Sequence, residues 1–230
     1  MPDPILLMTR PADAARAFVA RLEARFRPVD WLHAPAFALA ATGATVPEGE
    51  AIFTSAYGVA FAPDGQGRRA WCVGAATAHA ARGRGWEAVS ADGDAEALLA
   101  LLLSKRPSGP LWHLAGQERR GAVAERLEAA GLAAGTVTLY RQVPQPPTES
   151  LLAAMAGSRP LVAPVFSPRS VQGLDTAPRR APLAIVAMSA AVAEAAQVLL
   201  PDRILTAAHP DADHMLTATV TLMQTPERAA

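Results

Sequence analysis

Small hydroxyl residues recur in this chain where a short apolar run gives way to a helix-forming one. Thr54 and Ser55 follow Ile52-Phe53, Ser167 follows Val165-Phe166, and Ser189 follows Ile185-Val186-Ala187-Met188. Gly74, after Trp71-Cys72-Val73, and Gly116, after Leu111-Trp112-His113-Leu114-Ala115, take the same kind of place with no side chain. A residue there can offer its backbone N–H and any hydroxyl to an anion. The first N–H groups of a helix lack partners, and its N-terminus carries partial positive charge, worth about 0.3–1 kcal/mol per exposed contact. The same hydroxyls can instead do no more than cap their own helices. The two roles are compatible, because a capped turn keeps backbone donors. Arg10, Arg119, Arg120 and Arg169 fall near strand ends, where they can pair with carboxylates or stay solvated.

Other patterns carry less chemistry. His209-Pro210-Asp211-Ala212-Asp213-His214 has metal-ligand residue types, but a Pro-containing turn capping a helix that starts near Asp211 explains it, and no metal is expected. Gly65-Gln66-Gly67 and Gly83-Arg84-Gly85 lack the strand–turn–helix setting of a dinucleotide loop. The single Cys72 excludes an intrachain disulfide and any CxxC site. Lys+Arg and Asp+Glu are 21 each, so the formal charge is zero, which argues against a nucleic-acid binder. Hydrophobic residues make up 51% of the 230 and charged residues 18%, enough for a real core. There is no basic segment followed by an apolar one at the N-terminus, and no apolar run nears the ~20 residues of a membrane span. The expectation is a soluble, cytoplasmic protein with no membrane contact.

The elements that position these residues repeat. Ile52-Phe53-Thr54-Ser55 is echoed by Val165-Phe166-Ser167-Pro168, and the segment from Trp71 to Ala78 by that from Ala184 to Ala191, both at a shift of 113 residues (166 − 53 and 186 − 73). A looser pair links the strand and helix from Leu6 to those from Leu111; both helices reach Arg-Leu-Glu-Ala, at Arg21 and at Arg126. A repeat of about half the chain predicts two similar lobes. The order of the units predicts that one lobe is inserted into the other after its first βα unit. The division is then 1–33 with 147–230 for the first lobe and 38–142 for the inserted one, with crossings at about 29–38 and 141–147. Two crossings suggest a hinge over a cleft lined by strand-end loops, where open α/β sheets bind ligands.

Strands are predicted at Ile5–Met8, from Ile52, at Trp71–Val73, Trp86–Ser90, Leu111–Leu114, Thr136–Val143, Leu161–Phe166, Pro182–Ala187 and Ile204–Ala207. Between them fall helices, among them a very short one at Ala56–Phe61, cut by Pro63, and others at Thr77–Arg82, Ala95–Leu103, Glu149–Ala156, Ala190–Leu200 and Asp211–Leu222. Val29–Leu39 reads as an extended crossing. Pro164 is awkward inside a central strand. Strands alternating with helices imply an α/β fold of parallel sheets flanked by helices.

Thr9-Arg10-Pro11, Phe53-Thr54-Ser55, Val73-Gly74 through Ala81, Leu114-Ala115-Gly116 with its Arg-rich helix start, Val137-Thr138-Leu139-Tyr140-Arg141, Phe166-Ser167-Pro168-Arg169 and Val186 through Ala191 occur in that order. The ordered set resembles the uroporphyrinogen-III synthase family and covers Thr9 to about Ala196. Ala115 stands where many members carry Arg, and Ala187-Met188 replace a Gly-containing turn. The resemblance implies two α/β lobes joined by a two-stranded linker, with the active site in the cleft. It also implies the reaction: hydroxymethylbilane loses its ring-A hydroxyl as water, ring D inverts, and the macrocycle closes to uroporphyrinogen III. It implies no metal or organic cofactor, a monomer, and at most transient contact with the upstream deaminase.

Under that resemblance Tyr140 matches the family's conserved tyrosine. A phenol with pKa about 10 keeps its proton at neutral pH and can give it to a departing hydroxyl. A tyrosine at this strand can also serve packing alone. Arg10, Thr54, Ser55, Gly74, Gly116, Ser167 and Ser189 are then the candidates for holding the substrate's carboxylates. Two other classes stay open: a two-lobed small-molecule-binding module without catalysis, and a flavodoxin-like redox domain, which would need a phosphate loop.

Overall fold

The computed structural model describes residues 2–119, 121–175 and 179–224. In chain order its first elements are β1 (Ile5–Met8), α1 (Ala12–Arg25), β2 (Trp31–His33), β3 (Phe37–Ala41), β4 (Glu50–Phe53), α2 (Ala56–Phe61) and β5 (Arg69–Cys72). Next come α3 (Ala75–Arg82), β6 (Glu87–Ser90), α4 (Ala95–Lys105), β7 (Leu111–Gly116), α5 (Val123–Ala129), β8 (Ala134–Pro144) and α6 (Glu149–Ala156). The rest are β9 (Leu161–Val165), α7 (Pro168–Val171), β10 (Leu183–Ala187), α8 (Ala190–Ala196), β11 (Arg203–Thr206) and α9 (Ala212–Gln224). The chain divides into two compact units, Met1–Ala38 with Val143–Ala230, and Leu39–Gln142.

The first unit carries a parallel sheet in the order β11-β10-β9-β1-β2. Its inner strands β1, β9 and β10 are apolar without alternation because both faces are covered. Leu6, Met8, Val162 and Val186 pack against Phe18 and Leu22 of α1 and Met215 and Leu222 of α9. Leu7, Leu161, Ala163 and Ile185 turn the other way, toward Leu151 of α6 and Val192 of α8.

The second unit's sheet runs β3-β8-β7-β4-β5-β6, parallel from β8 to β6. Ala51, Phe53, Cys72 and Leu114 face Val59 of α2 and Ala78 of α3, while Ile52, Trp71 and Leu111 face Leu98, Leu102, Val123 and Leu127 of α4 and α5. Read as β2-β1-β9-β10-β11 and β8-β7-β4-β5-β6, the two sheets have the same order, so the sequence echoes fall on matching strands. Counted at helix N-caps the offset is 112 for Ser55 and Ser167 (167 − 55) and 115 for Gly74 and Ser189 (189 − 74), so the repeat does not hold one constant shift.

Several sequence expectations are corrected. Trp31–His33, read as part of a crossing, is a strand paired in register with β1, because Trp31 and Leu32 can pack on the two sides of an edge that is already apolar. The helix from Ala190 stops at Ala196, tightens into a 3₁₀ turn over Gln197–Leu199 and closes with Leu200 left-handed at φ 47°. Pro201 lacks the N–H to continue the ladder and disfavours right-handed helix at Leu200. Pro164 is tolerated between β10 and β1 for a directional reason. Leu161 N–H donates to Pro182 C=O and Met188 N–H to Val165 C=O, so the odd-numbered residues serve β10. Pro164 therefore faces β1, whose register with β9 ends at Leu6 and Val162.

Candidate active site

The carboxyl-terminal edge of the second sheet gathers Thr54, Ser55, Gly74, Gly116 and Tyr140. Ser55 leaves β4 in extended conformation and caps α2, its hydroxyl accepting from Tyr57 N–H at 3.2 Å. That fixes a helix of six residues in which Tyr57 and Phe61, four apart, share one face. Tyr140 on β8 meets that face. Its ring stacks on Phe61 with centroids 4.9 Å apart and planes at 26°, and meets Tyr57 edge-on at 6.4 Å.

Gly116 makes this approach possible. The sequence predicts it in the loop after its strand, but it is buried as the last residue of β7, because the strand runs on past a register irregularity at Ala115 to pair with Tyr140. A Cβ at Gly116 would lie 2.5 Å from Tyr140 Cε2, so only glycine admits the ring. Gln117 N–H then donates to Tyr140 C=O at 2.8 Å. Burial pushes the Tyr140 phenol above its usual pKa, while the polar groups of the Ser55 side chain and the Gly116 backbone pull it the other way. The net rise keeps the phenol protonated well past neutral pH.

Thr54 belongs to the opposite face of the same sheet, with the parity of Ile52. Its Oγ1 lies 3.0 Å from Nε2 of His113 on β7, a residue with no exposed surface. Burial holds the His113 pKa down, at about 4, with Arg119 lowering it further and Glu125 opposing. Gly74 caps α3 with backbone alone, and Val73 N–H donates to Phe53 C=O at 3.0 Å, tying the two neighbouring strand ends together.

The first unit brings other residues to its own strand ends. The Arg10 guanidinium lies 4.3 Å from the Phe166 ring centroid, and Arg10 C=O is 2.9 Å from His33 Nε2. Ser167 caps α7, its hydroxyl accepting from Ser170 N–H at 3.3 Å and sitting 2.9 Å from the buried Ser170 hydroxyl. Ser189 stands at the N-cap of α8, but its side chain makes no capping bond. Arg119 pairs with Glu125 at 3.1 Å, Arg169 is exposed in the first turn of α7, and Arg120 lies outside the described residues. Asp211 caps α9 through His214 N–H at 2.9 Å and also holds the His214 ring.

Sequence reasoning missed His113, Tyr57 and Phe61. His113 had a signal: a polar residue in a strand buried on both faces needs a partner, and Thr54 ends the neighbouring strand. The pairing itself depends on the β4–β7 register, in which Ile52 sits beside His113.

The sequence model of a family described as uroporphyrinogen-III synthase HemD matches residues 47–217. Among solved structures, the uroporphyrinogen-III synthetase of Helicobacter pylori 26695 is similar with a TM-score of 0.65 at 12% identity, covering 95% of this chain and 99% of that one. A mutant uroporphyrinogen III synthase of the extremely thermophilic bacterium Thermus thermophilus gives a TM-score of 0.46 at 17% identity, over 96% of this chain and 99% of that one. At such identities the likeness to the first is one of fold. No curated protein matches the chain. Among the described residues no helix is long and apolar enough to cross a membrane. The family model spans well over half of the sequence and takes in Thr54, Ser55, Gly116 and Tyr140, and the chain belongs to the uroporphyrinogen-III synthase family.

Proposed function

We propose that Tyr140 is the proton donor in the cyclisation of hydroxymethylbilane to uroporphyrinogen III, and that the strand-end loops hold the substrate's carboxylates. As a member of its family the enzyme is a cyclising lyase of tetrapyrrole biosynthesis. The C–O bond of the ring-A hydroxymethyl group breaks, and the oxygen leaves with the electron pair. Tyr140 supplies the proton that makes the leaving group water. Since water is the only product lost, the proton released from the free ring-D carbon, once the ring-C methylene has bonded there, restores the phenol. The Ser55 side chain and the Gly116 backbone, whose polar groups favour the ionised phenol, stabilise the phenolate in between. Proton donation of this kind contributes about 10²–10⁴-fold. Backbone N–H groups at Ser55, Gly74, Ser167 and Ser189, with the Thr54 hydroxyl and the Arg10 guanidinium, are the proposed carboxylate contacts. Orientation does the rest: the ring-A carbon has to meet the ring-D carbon that already carries the ring-C methylene, whose bond to ring D then breaks and re-forms at the ring's free position, so that ring D ends up inverted.

One observation carries this reading. The Tyr140 phenol is half-buried, clamped between Phe61, Tyr57 and Gly116 at a sheet's carboxyl-terminal edge. The test uses hydroxymethylbilane made in situ by its deaminase, followed by oxidation and chromatographic separation of isomers I and III. Isomer III that disappears when the protein is boiled is the expected result. Isomer I alone, the product of spontaneous closure, would overturn the proposal.

A further inference from the structure

His113 is a buried titratable group that proton donation by Tyr140 leaves unused. It faces α4 and α5 from β7, and its Nε2 meets Thr54 Oγ1 at 3.0 Å. Its Nδ1 is buried and hydrogen-bonded to nothing. Thr136, its register partner on β8, keeps its own hydroxyl buried and unbonded, so it gives Nδ1 neither donor nor acceptor. The ring is neutral near pH 7, with its pKa down at about 4, and a neutral imidazole has one N–H and one bare nitrogen. An orphaned N–H in the interior is the rarer fault, whereas a bare ring nitrogen leaves only a lone pair unused. The hydrogen therefore belongs on Nε2, which donates to Thr54 Oγ1.

That direction decides what Thr54 can do. A threonine hydroxyl has one hydrogen and two lone pairs. If Nε2 were bare, the hydrogen of Thr54 would be turned inward, and the hydroxyl could only accept at its outer side. With Nε2–H donating, one lone pair is used and the hydrogen stays free to point off the end of β4. We propose that His113 is a positioning residue, a fixed Nε2–H imidazole that makes Thr54 an outward hydrogen-bond donor to a carboxylate of the substrate. The inference rests on the reading of Thr54 as a substrate contact.

The tautomer is measured first, on the wild-type protein labelled with ¹⁵N at its five histidines, with His113 assigned by comparison with His113→Gln. A protonated Nε2 and a bare Nδ1, unchanged from neutral to mildly acid pH, is the expected result. A protonated Nδ1 would overturn the proposal. The kinetic arm compares His113→Leu, His113→Gln and Thr54→Val. Loss of one hydrogen bond to a charged group should raise KM roughly tenfold in His113→Leu with kcat little changed. The glutamine, which keeps an N–H donor, should restore most of the affinity. The Thr54→Val/His113→Leu double variant should be no worse than Thr54→Val; additive effects would mean that His113 acts elsewhere. If the wild-type protein makes only isomer I, Thr54 is not a substrate contact whatever the tautomer, so failure of the parent reading is told apart from a wrong proton assignment.

Discussion

The two sheets share a strand order, and their carboxyl-terminal edges share helix N-caps, yet the groups they present differ. The difference starts in the strand beside β7 and its counterpart β1. In the second unit that strand is β8, with 11 residues, long enough to carry Tyr140 up to Gly116 and α2. In the first unit it is β2, with three residues, and it ends at His33, which bonds the Arg10 backbone. The Arg10 side chain then covers Phe166, the strand-end residue just before the Ser167 cap. A repeated frame thus supplies capped helix ends on both sides, while the length of one strand decides whether a phenol or a guanidinium stands beside them. Under the roles proposed above, anion binding can be shared by the two edges, while proton donation is assigned to one.

The sharpest way to break this contrast is to compare Tyr140→Phe with Arg10→Ala. The phenylalanine keeps the ring against Phe61, Tyr57 and Gly116 and removes only the hydroxyl. Formation of isomer III should fall about 10²–10⁴-fold, chiefly in kcat, with stability changed by about 1 kcal/mol. Arg10→Ala gives up a cation–π contact worth about 0.5–1 kcal/mol and a carboxylate partner, so its effect should lie in KM. Initial rates over a range of bilane concentrations decide between them. An equal loss of kcat in both variants would erase the distinction between the edges.

Acid should strain the second unit first. The His113 pKa falls from an ordinary value near 6.5 in the unfolded chain to about 4 in the folded one. Between these values the unfolded state binds more protons, so stability rises with pH across the window and is lost as pH drops through it. Above about 6.5 this group adds no pH dependence. The full effect is about 3 kcal/mol. The inner strands of the first unit, β1, β9 and β10, carry only apolar residues and add nothing comparable. Urea midpoints measured across the window should show the slope in wild type, and His113→Leu should remove that part of it. An unchanged slope in the variant would place the acid sensitivity elsewhere.

Glycines at two strand ends of the second unit give a smaller test. Gly116→Ala drives a Cβ to 2.5 Å from the Tyr140 ring and should cost about 1–3 kcal/mol while displacing the phenol and lowering isomer III formation. Gly74→Ala meets nothing nearer than Gly93 O at 3.8 Å, in an extended backbone any residue adopts, so its stability should stay within about 0.5 kcal/mol of wild type. Thermal denaturation and the isomer assay together separate packing at the phenol from simple loss of a glycine.

The parallel α/β frame was legible because its signals are local and redundant: apolar runs such as Leu6–Met8, turns of Gly and Ser, and an echo that survives in both halves. Ser55 and Ser167 were legible as caps for the same reason. The companions of Tyr140 were not. Phe61 and Tyr57 reach it through a cross-strand approach that exists only because Gly116 has no Cβ, and no spacing along the chain encodes that contact. His113 and Thr54 are 59 residues apart and meet through strand register. The end of α8 was misjudged because Leu200 has high helix propensity, yet the following Pro201 governs its backbone. Local grammar reached the elements and their caps, and long-range register fixed the chemistry.

The smallest expected effect separates two serines of the first unit that look alike in sequence. The Ser167 hydroxyl accepts from Ser170 N–H and lies against the buried Ser170 hydroxyl, so Ser167→Ala should cost about 1 kcal/mol as the cap is lost. The Ser189 side chain makes no capping bond to α8, so Ser189→Ala should leave stability within about 0.5 kcal/mol. The hydroxyl that caps nothing is the one whose loss reads cleanly on the substrate. A raised KM in Ser189→Ala at unchanged stability would assign that hydroxyl to a carboxylate contact and extend anion binding to the first unit's edge. An unchanged KM would leave that helix end with its backbone donors alone and concentrate recognition on the edge that carries Tyr140. Equal destabilisation by both substitutions would mean that Ser189 does cap its helix in solution, and the two N-caps of this unit would then differ less than their hydrogen bonds suggest.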